Sequence, residues 1–289
     1  MYIIESRNIL TPQNGLNLYR GRTQDSILLT EIAGSDSMDL GVKTDAPELL
    51  AGVLKARRNK GIIILGNMGD PYNKYEEEYL LTRNSLKVIE NYDHGVIIST
   101  YQNRILRDID VLKGISRKTK CVVEIKIPTL DDDKLKKIDG PETLGSEDRL
   151  RLIRNLRKEG IDVIATMYPI IPFVNDDEKD IINLIQKLAE CDIIGIDLAD
   201  MRLAVKKSVR DFFYKQYEKR FPKEYEMYVS RNDKPGELLP ENRTAILAET
   251  EKICKELGIM YESKTIKAWK RQYENKTTGE QMSLFDFAK

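Results

Sequence analysis

The chain is poor in the residues that most often do chemistry. Its single histidine, His94, stands in an NYDHG string that reads as a solvated turn ahead of an apolar run. One histidine so placed leaves no Ser–His–Asp or Cys–His machinery for a site elsewhere. The three cysteines, Cys121, Cys191 and Cys254, are far apart, odd in number and each set in apolar sequence. They read as buried, reduced core thiols of a cytosolic protein, not as a disulfide framework. No apolar stretch approaches a membrane span, and MYIIESRNIL lacks the basic start and long apolar run of a signal peptide. A cytoplasmic location and no membrane partner are the expectations. Basic and acidic residues balance at 47 each, so no net field draws the chain toward nucleic acid or an anionic surface.

What is present suffices for a folded core, since 41% of the 289 residues are hydrophobic. Short apolar runs without polar alternation read as parallel strands covered on both faces: Leu16–Tyr19, Gly61–Leu65, Gly95–Thr100, Cys121–Ile127, Ile161–Tyr168 and Ile193–Leu198. Amphipathic stretches between and after them predict helices near Ala46–Arg58, Glu76–Tyr92, Ile105–Ser116, Glu147–Glu159, Asp176–Glu190 and Val209–Phe221. Ser146 is expected to cap Glu147–Glu159 with its hydroxyl, and Gly160 to end it. Further helices are expected at Arg243–Leu257 and Ser263–Tyr273. The alternation predicts an α/β fold, a partial (β/α)6 TIM-like barrel with C-terminal helices, whose functional groups lie on the loops after the strands. The expected organisation is a barrel over 1–222, a helical extension of it over 223–273 and a flexible tail over 274–289.

Several long, ordered stretches carry a resemblance: GNMGDPYNKYEEEYLLTR (66–83), YIIESRNILTPQNGLNLYRG (2–21), RILRDIDVL (104–112), PIIPFVND (169–176) and RDFFYKQYEKRFP (210–222). Together they resemble the spore photoproduct lyase-like branch of the radical SAM superfamily. The resemblance implies a partial (β/α)6 barrel. It also implies a loop whose CxxxCxxC thiolates ligate a 4Fe–4S cluster, with S-adenosylmethionine bound at the fourth iron. Here that loop reads YRGRTQDSILLT, and the three positions hold Arg22, Ser26 and Leu29. None is a thiolate. Lys and Ser of the relatives' TKS become Tyr101 and Gln102 after Thr100; the TxTT-like run becomes Lys126–Ile127–Pro128–Thr129; IEP becomes Ile138–Asp139–Gly140. The resemblance therefore implies a vestigial cofactor face at Gly66, Asn67, Met68, Gly69, Asp70, Tyr101 and Lys126. No cofactor is expected, and Lys126 would favour an anionic small molecule at the mouth. Under the alternative, an enzyme with unusual ligation or a remodelled pocket, S-adenosylmethionine and the 4Fe–4S cluster return. Natural loss and deliberate replacement of the loop would read alike. The bland reading of GNMGDPY is a tight turn between strand and helix.

Three features remain. The basic run from Lys55 to Lys60 lies at a helix end, where cations suit the dipole, although it also suggests nucleic acid. Asp70, Asp197 and Asp200 converge at the mouth on this reading, with divalent metal binding a minor expectation. The tail string EQMSLFDF resembles the QLxLF peptide by which bacterial replication and repair proteins dock on the β sliding clamp. Leu284 and Phe285 would fill an apolar pocket, Met282 a shallower one, Gln281 would bond the rim and Ser283 would link them. The alternative is an apolar clip folded onto the barrel. The sequence thus predicts a non-catalytic accessory of DNA replication or repair, a pseudoenzyme that reaches DNA indirectly through the clamp.

Overall fold

The computed structural model describes residues 2–5, 8–21, 25–28, 40–67, 69–231 and 236–277. Six parallel strands stand in sequence order: β1 (Gly15–Leu16), β2 (Ile62–Leu65), β3 (Gly95–Thr100), β4 (Cys121–Lys126), β5 (Asp162–Thr166) and β6 (Gly195–Asp197). Among the described residues β1 and β6 do not pair, so the barrel is partial, as expected. The helices are α1 (Ala46–Ala56), α2 (Glu76–Tyr79), α3 (Leu81–Asn91), α4 (Ile109–Lys118), α5 (Asp132–Asp139), α6 (Ser146–Lys158), α7 (Glu178–Ala189), α8 (Arg210–Arg220), α9 (Pro222–Ser230), α10 (Arg243–Leu257) and α11 (Ser263–Arg271).

Period-2 alternation divides the strand side chains between two cores. Ile63, Leu65, Val96, Ile98, Val123, Ile125 and Val163 face the surrounding helices. Ile62, Ile97, Val122 and Ile164 face the interior, where Ile266 of α11 meets them. The C-terminal helix thus plugs the lower interior at the N-terminal ends of the strands. A second internal layer is polar: the Lys270 ammonium pairs with Glu124, which also accepts from the Ser99 hydroxyl at 2.7 Å. Ile246, Cys254 and Ile259 join the main core, and Met260 bridges Gly195 at the outer edge of β6. The C-terminal helices are therefore packed into the barrel. A third apolar cluster, rich in aromatics from α8 and α9, lies with Ile27, Ile138 and Ile171.

Several expectations are corrected. The first strand is Gly15–Leu16; Tyr19–Arg20 leaves the barrel and pairs antiparallel with Gly41–Val42. Glu76–Tyr92 is two helices, broken at Leu80 with φ +52°. The break turns the first amides of α3 toward the buried Glu76 carboxylate, which accepts from Thr82 N–H at 2.9 Å. Ser146 does not cap α6: its hydroxyl donates to Leu130 O at 3.0 Å, while Asp132 accepts its N–H at 2.7 Å. Gly160 does end α6, at φ +76°. His94 is wholly buried, not a solvated turn residue. Its Nδ1 lies 3.1 Å from Gly61, and burial, with Lys60 and Arg57 nearby, lowers its pKa.

Candidate functional site

The strands' C-terminal ends open on a cavity of about 540 Å³. The loop after β2 contributes Asp70, Asn73, Lys74 and Tyr75. The stretch after β3 contributes Tyr101, Gln102 and Arg104, and the end of α5 contributes residues 139–143, with Asp25 and Leu40 completing the wall. Of the residues singled out from sequence, Asp70 and Tyr101 line this cavity. Gly66 and Gly69 line a separate narrow cleft beside Leu16 and Pro71. Met68, Arg22, Leu29 and the clamp-like residues 281–285 lie outside the described residues.

Asp70 is fixed from three sides. The Thr100 hydroxyl lies 2.7 and 2.8 Å from its two oxygens, and Tyr72 N–H and Tyr101 N–H donate at 2.9 and 3.3 Å. Burial nonetheless raises its pKa. The turn that presents it requires glycine at 66: with φ +89°, a Cβ there would meet Ser99 O at 2.0 Å. The rest of the DPY…LTR string is structural support beneath the loop. Tyr19 Oη–H donates to Glu76 at 2.5 Å, Thr82 Oγ1–H to Pro71 O at 2.8 Å, and Tyr72 Oη–H to Asp108 at 3.2 Å. Arg83 and Arg107 close the network on Asp108 at 3.0 and 2.8 Å. The string is therefore more than a turn between strand and helix, since it also carries a cavity-lining carboxylate, Asp70.

Lys126 does not line the cavity. Its ammonium pairs with Asp139, which Arg149 also holds at 2.9 Å. Burial works to raise the Asp139 pKa, but the two cations outweigh it and hold the carboxyl below its usual range. Arg149 is fully buried, donates to Lys126 O, Leu144 O and Thr143 Oγ1, and lies over the Tyr101 ring. The spare cation expected at the mouth is thus neutralised. The lining carries Asp25, Asp70, Asp139 and Glu142 against Lys74 and Arg104, which removes the ground for an anionic ligand. Arg104 is itself engaged by Glu77 at 2.6 Å.

Sequence reasoning missed Asp139 and Arg149. Asp139 was visible only as a failed match to IEP, and α5, a short polar helix, gave no apolar stripe. Its start is signalled by Asp131, whose carboxylate accepts from Asp133 N–H and Lys134 N–H.

The segment aligned with the cluster loop is tied into this wall. Ile27 is fully buried and its N–H donates to Ile138 O at 2.8 Å. Ser26 Oγ–H donates to the same carbonyl at 3.3 Å and accepts from Leu28 N–H at 3.2 Å. Arg220 of α8 grips Asp25 at 2.9 Å and donates to Lys137 O at 2.8 Å. The three thiols are buried elsewhere: burial pushes Cys121 up to about 12 and Cys254 up to about 11, and raises Cys191. Among the described residues no three His, Cys, Asp or Glu side chains gather closely enough to hold a metal ion. Asp197 instead accepts from Ser263 Oγ–H at 2.5 Å, and Asp200 is exposed, so neither forms a set with Asp70. The residues present thus do not fit a 4Fe–4S cluster: a hydroxyl spent in a turn, an arginine and a leucine stand where thiolates are needed.

The profile of the Radical SAM superfamily matches residues 34–185. A spore photoproduct lyase complexed with dinucleoside spore photoproduct superposes with a TM-score of 0.63 at 13% identity, covering 90% of this chain and 80% of that one. A mutant of that lyase with bound AdoMet and the same dinucleoside gives 0.62 at 14% identity, with the same coverage. An uncharacterized protein of Methanocaldococcus jannaschii is 32% identical over 137 residues, 47% of this chain and 49% of that protein, so the chain spans about half the length of this relative.

Proposed function

This chain belongs to the radical SAM superfamily, and we propose that it is a member without the radical chemistry, acting as an accessory of DNA replication or repair that docks on the bacterial β sliding clamp. Ser26 carries the first half of this reading. Its hydroxyl is committed to Ile138 O and Leu28 N–H, beside a fully buried Ile27, in the loop that would need thiolates. The superfamily match begins at residue 34, beyond Arg22, Ser26 and Leu29, which supports a departure at that loop. S-adenosylmethionine and a 4Fe–4S cluster are accordingly not expected at the mouth.

The second half rests on Gln281, Met282, Ser283, Leu284 and Phe285. A short peptide with two apolar anchors concentrates its affinity in them. Replacing both Leu284 and Phe285 by Ala should cost at least about 2 kcal/mol of clamp affinity and leave the melting temperature unchanged. An apolar clip folded onto the barrel predicts the reverse, a lower melting temperature and unaltered clamp binding. Failure of the intact chain to capture the clamp would end the docking reading.

A further inference from the structure

The lower end of the barrel, opposite the cavity, collects cations from three separate parts of the chain. The helices run back to this end, so the cations in their last turns, Lys55 of α1 and Arg117 and Lys118 of α4, suit the helix dipoles. That account stops there. Arg58 and Lys60 follow the end of α1, and Lys276 comes from the segment after α11. Lys276 is laid across the end of α4: its N–H donates to Lys118 O at 3.0 Å and its ammonium to Ser116 O at 3.1 Å.

The groups converge around residues 93 and 94. Lys118 pairs with Asp93 at 3.3 Å, Tyr273 Oη–H donates to Asp93 O at 2.9 Å, and Lys60 and Arg57 lie close enough to His94 to bear on its charge. Of the nearby carboxylates, Asp93 is paired by Lys118 and Glu274 by the buried Lys120 at 2.6 Å, while the half-buried Glu90 lies against Gly114 without an ion pair among the described residues. Among the described residues no carboxylate pairs with the exposed Arg58, Lys60 or Arg117. No exposed large apolar side chain falls in residues 55–60, 116–118 or 272–277. The rings on this face, Tyr92 and Tyr273, are half-buried, and the Tyr273 hydroxyl is spent on Asp93 O, so the face offers little for membrane insertion or single-strand stacking. It suits a regular array of phosphates, which is read through charge alone.

We propose that this lower face, built by Arg58, Lys60, Arg117, Lys118 and Lys276, is a sequence-independent contact for the backbone of duplex DNA, separate from the cavity at the other end. It does not rest on the clamp reading, since it involves no residue of the tail motif.

The test is fluorescence anisotropy of the full chain with a labelled duplex of about 20 base pairs at about 50 and 200 mM KCl. Intact protein should bind at about micromolar Kd in low salt, with log Kd linear in log salt concentration. The triple variant Arg58→Glu, Lys60→Glu, Arg117→Glu should weaken binding at least about 10-fold and flatten the salt slope by roughly 2–3 units. The control Lys215→Glu, Lys219→Glu, Lys223→Glu, with the same change in net charge on α8 and α9, should alter affinity less than about 2-fold. Equal loss in both triples, or no binding by intact protein, would overturn the assignment. So would a lower-face triple that lost binding to anionic vesicles while keeping DNA. Glutamine at the same three positions, verified by an unchanged melting temperature, decides the matter if charge reversal unfolds the protein.

Discussion

The guanidinium of Arg149 lies 4.0 Å from the centre of the Tyr101 ring, and both residues are buried, with Tyr101 lining the cavity. The ring covers the cation, and Asp139 neutralises it at 2.9 Å. Removing one member of such a set leaves a charge in a dry site, which costs more than the pair itself contributes. Asp139→Asn should therefore destabilise the protein by about 3–5 kcal/mol at neutral pH, read by denaturant unfolding.

The pH dependence of that loss has a definite sign. The Asp139 carboxyl is held below its usual range in the folded protein, so its contribution is complete above the unfolded pKa of about 3.9 and disappears as pH falls through the folded value. The gap in unfolding free energy between the intact protein and Asp139→Asn should narrow below about pH 4. A gap that stayed constant from neutral to acid pH would show that folding leaves the Asp139 pKa unshifted, and one that widened toward acid pH would show that the carboxyl is neutral in the folded state.

Gly66→Ala tests the loop that presents Asp70. The substitution meets Ser99 O at 2.0 Å and a φ of +89°, and a backbone carbonyl in a central strand cannot swing away as a side chain would. A loss of roughly 3 kcal/mol or more is expected, from strain and displaced strand together. A variant melting within a degree or two of the parent would mean that the loop adopts another path.

Ile266→Ala tests the plug. Ile266 is fully buried against Ile62, Ile97, Val122 and Ile164, and truncation leaves a cavity inside the barrel. The expected cost is about 2–5 kcal/mol in equilibrium unfolding. A negligible cost would show that α11 is dispensable to the barrel interior.

How legible all this was depended on polarity. The strand Gly95–Thr100 and the helix Arg243–Leu257 match their predicted bounds, because unbroken apolar runs and a 3.6-residue apolar stripe state burial directly. The buried polar residues gave no such signal. Glu76, His94, Asp139 and Arg149 are all wholly or nearly inaccessible, yet each looks like a surface residue in sequence. Their burial depends on partners brought by other elements: Tyr19 and Arg107 for Glu76, Gly61 for His94, Lys126 for Asp139. Asp70 and Tyr101 were found through the resemblance, and the acid-rich lining around them was not.

The central claim is that the loop around Ser26 does not hold a 4Fe–4S cluster. Anaerobic reconstitution with iron and sulfide, followed by iron analysis and a visible spectrum, tests it most directly. Protein that remains colourless and retains no stoichiometric iron is the predicted result; about four irons per chain with broad visible absorption would contradict it.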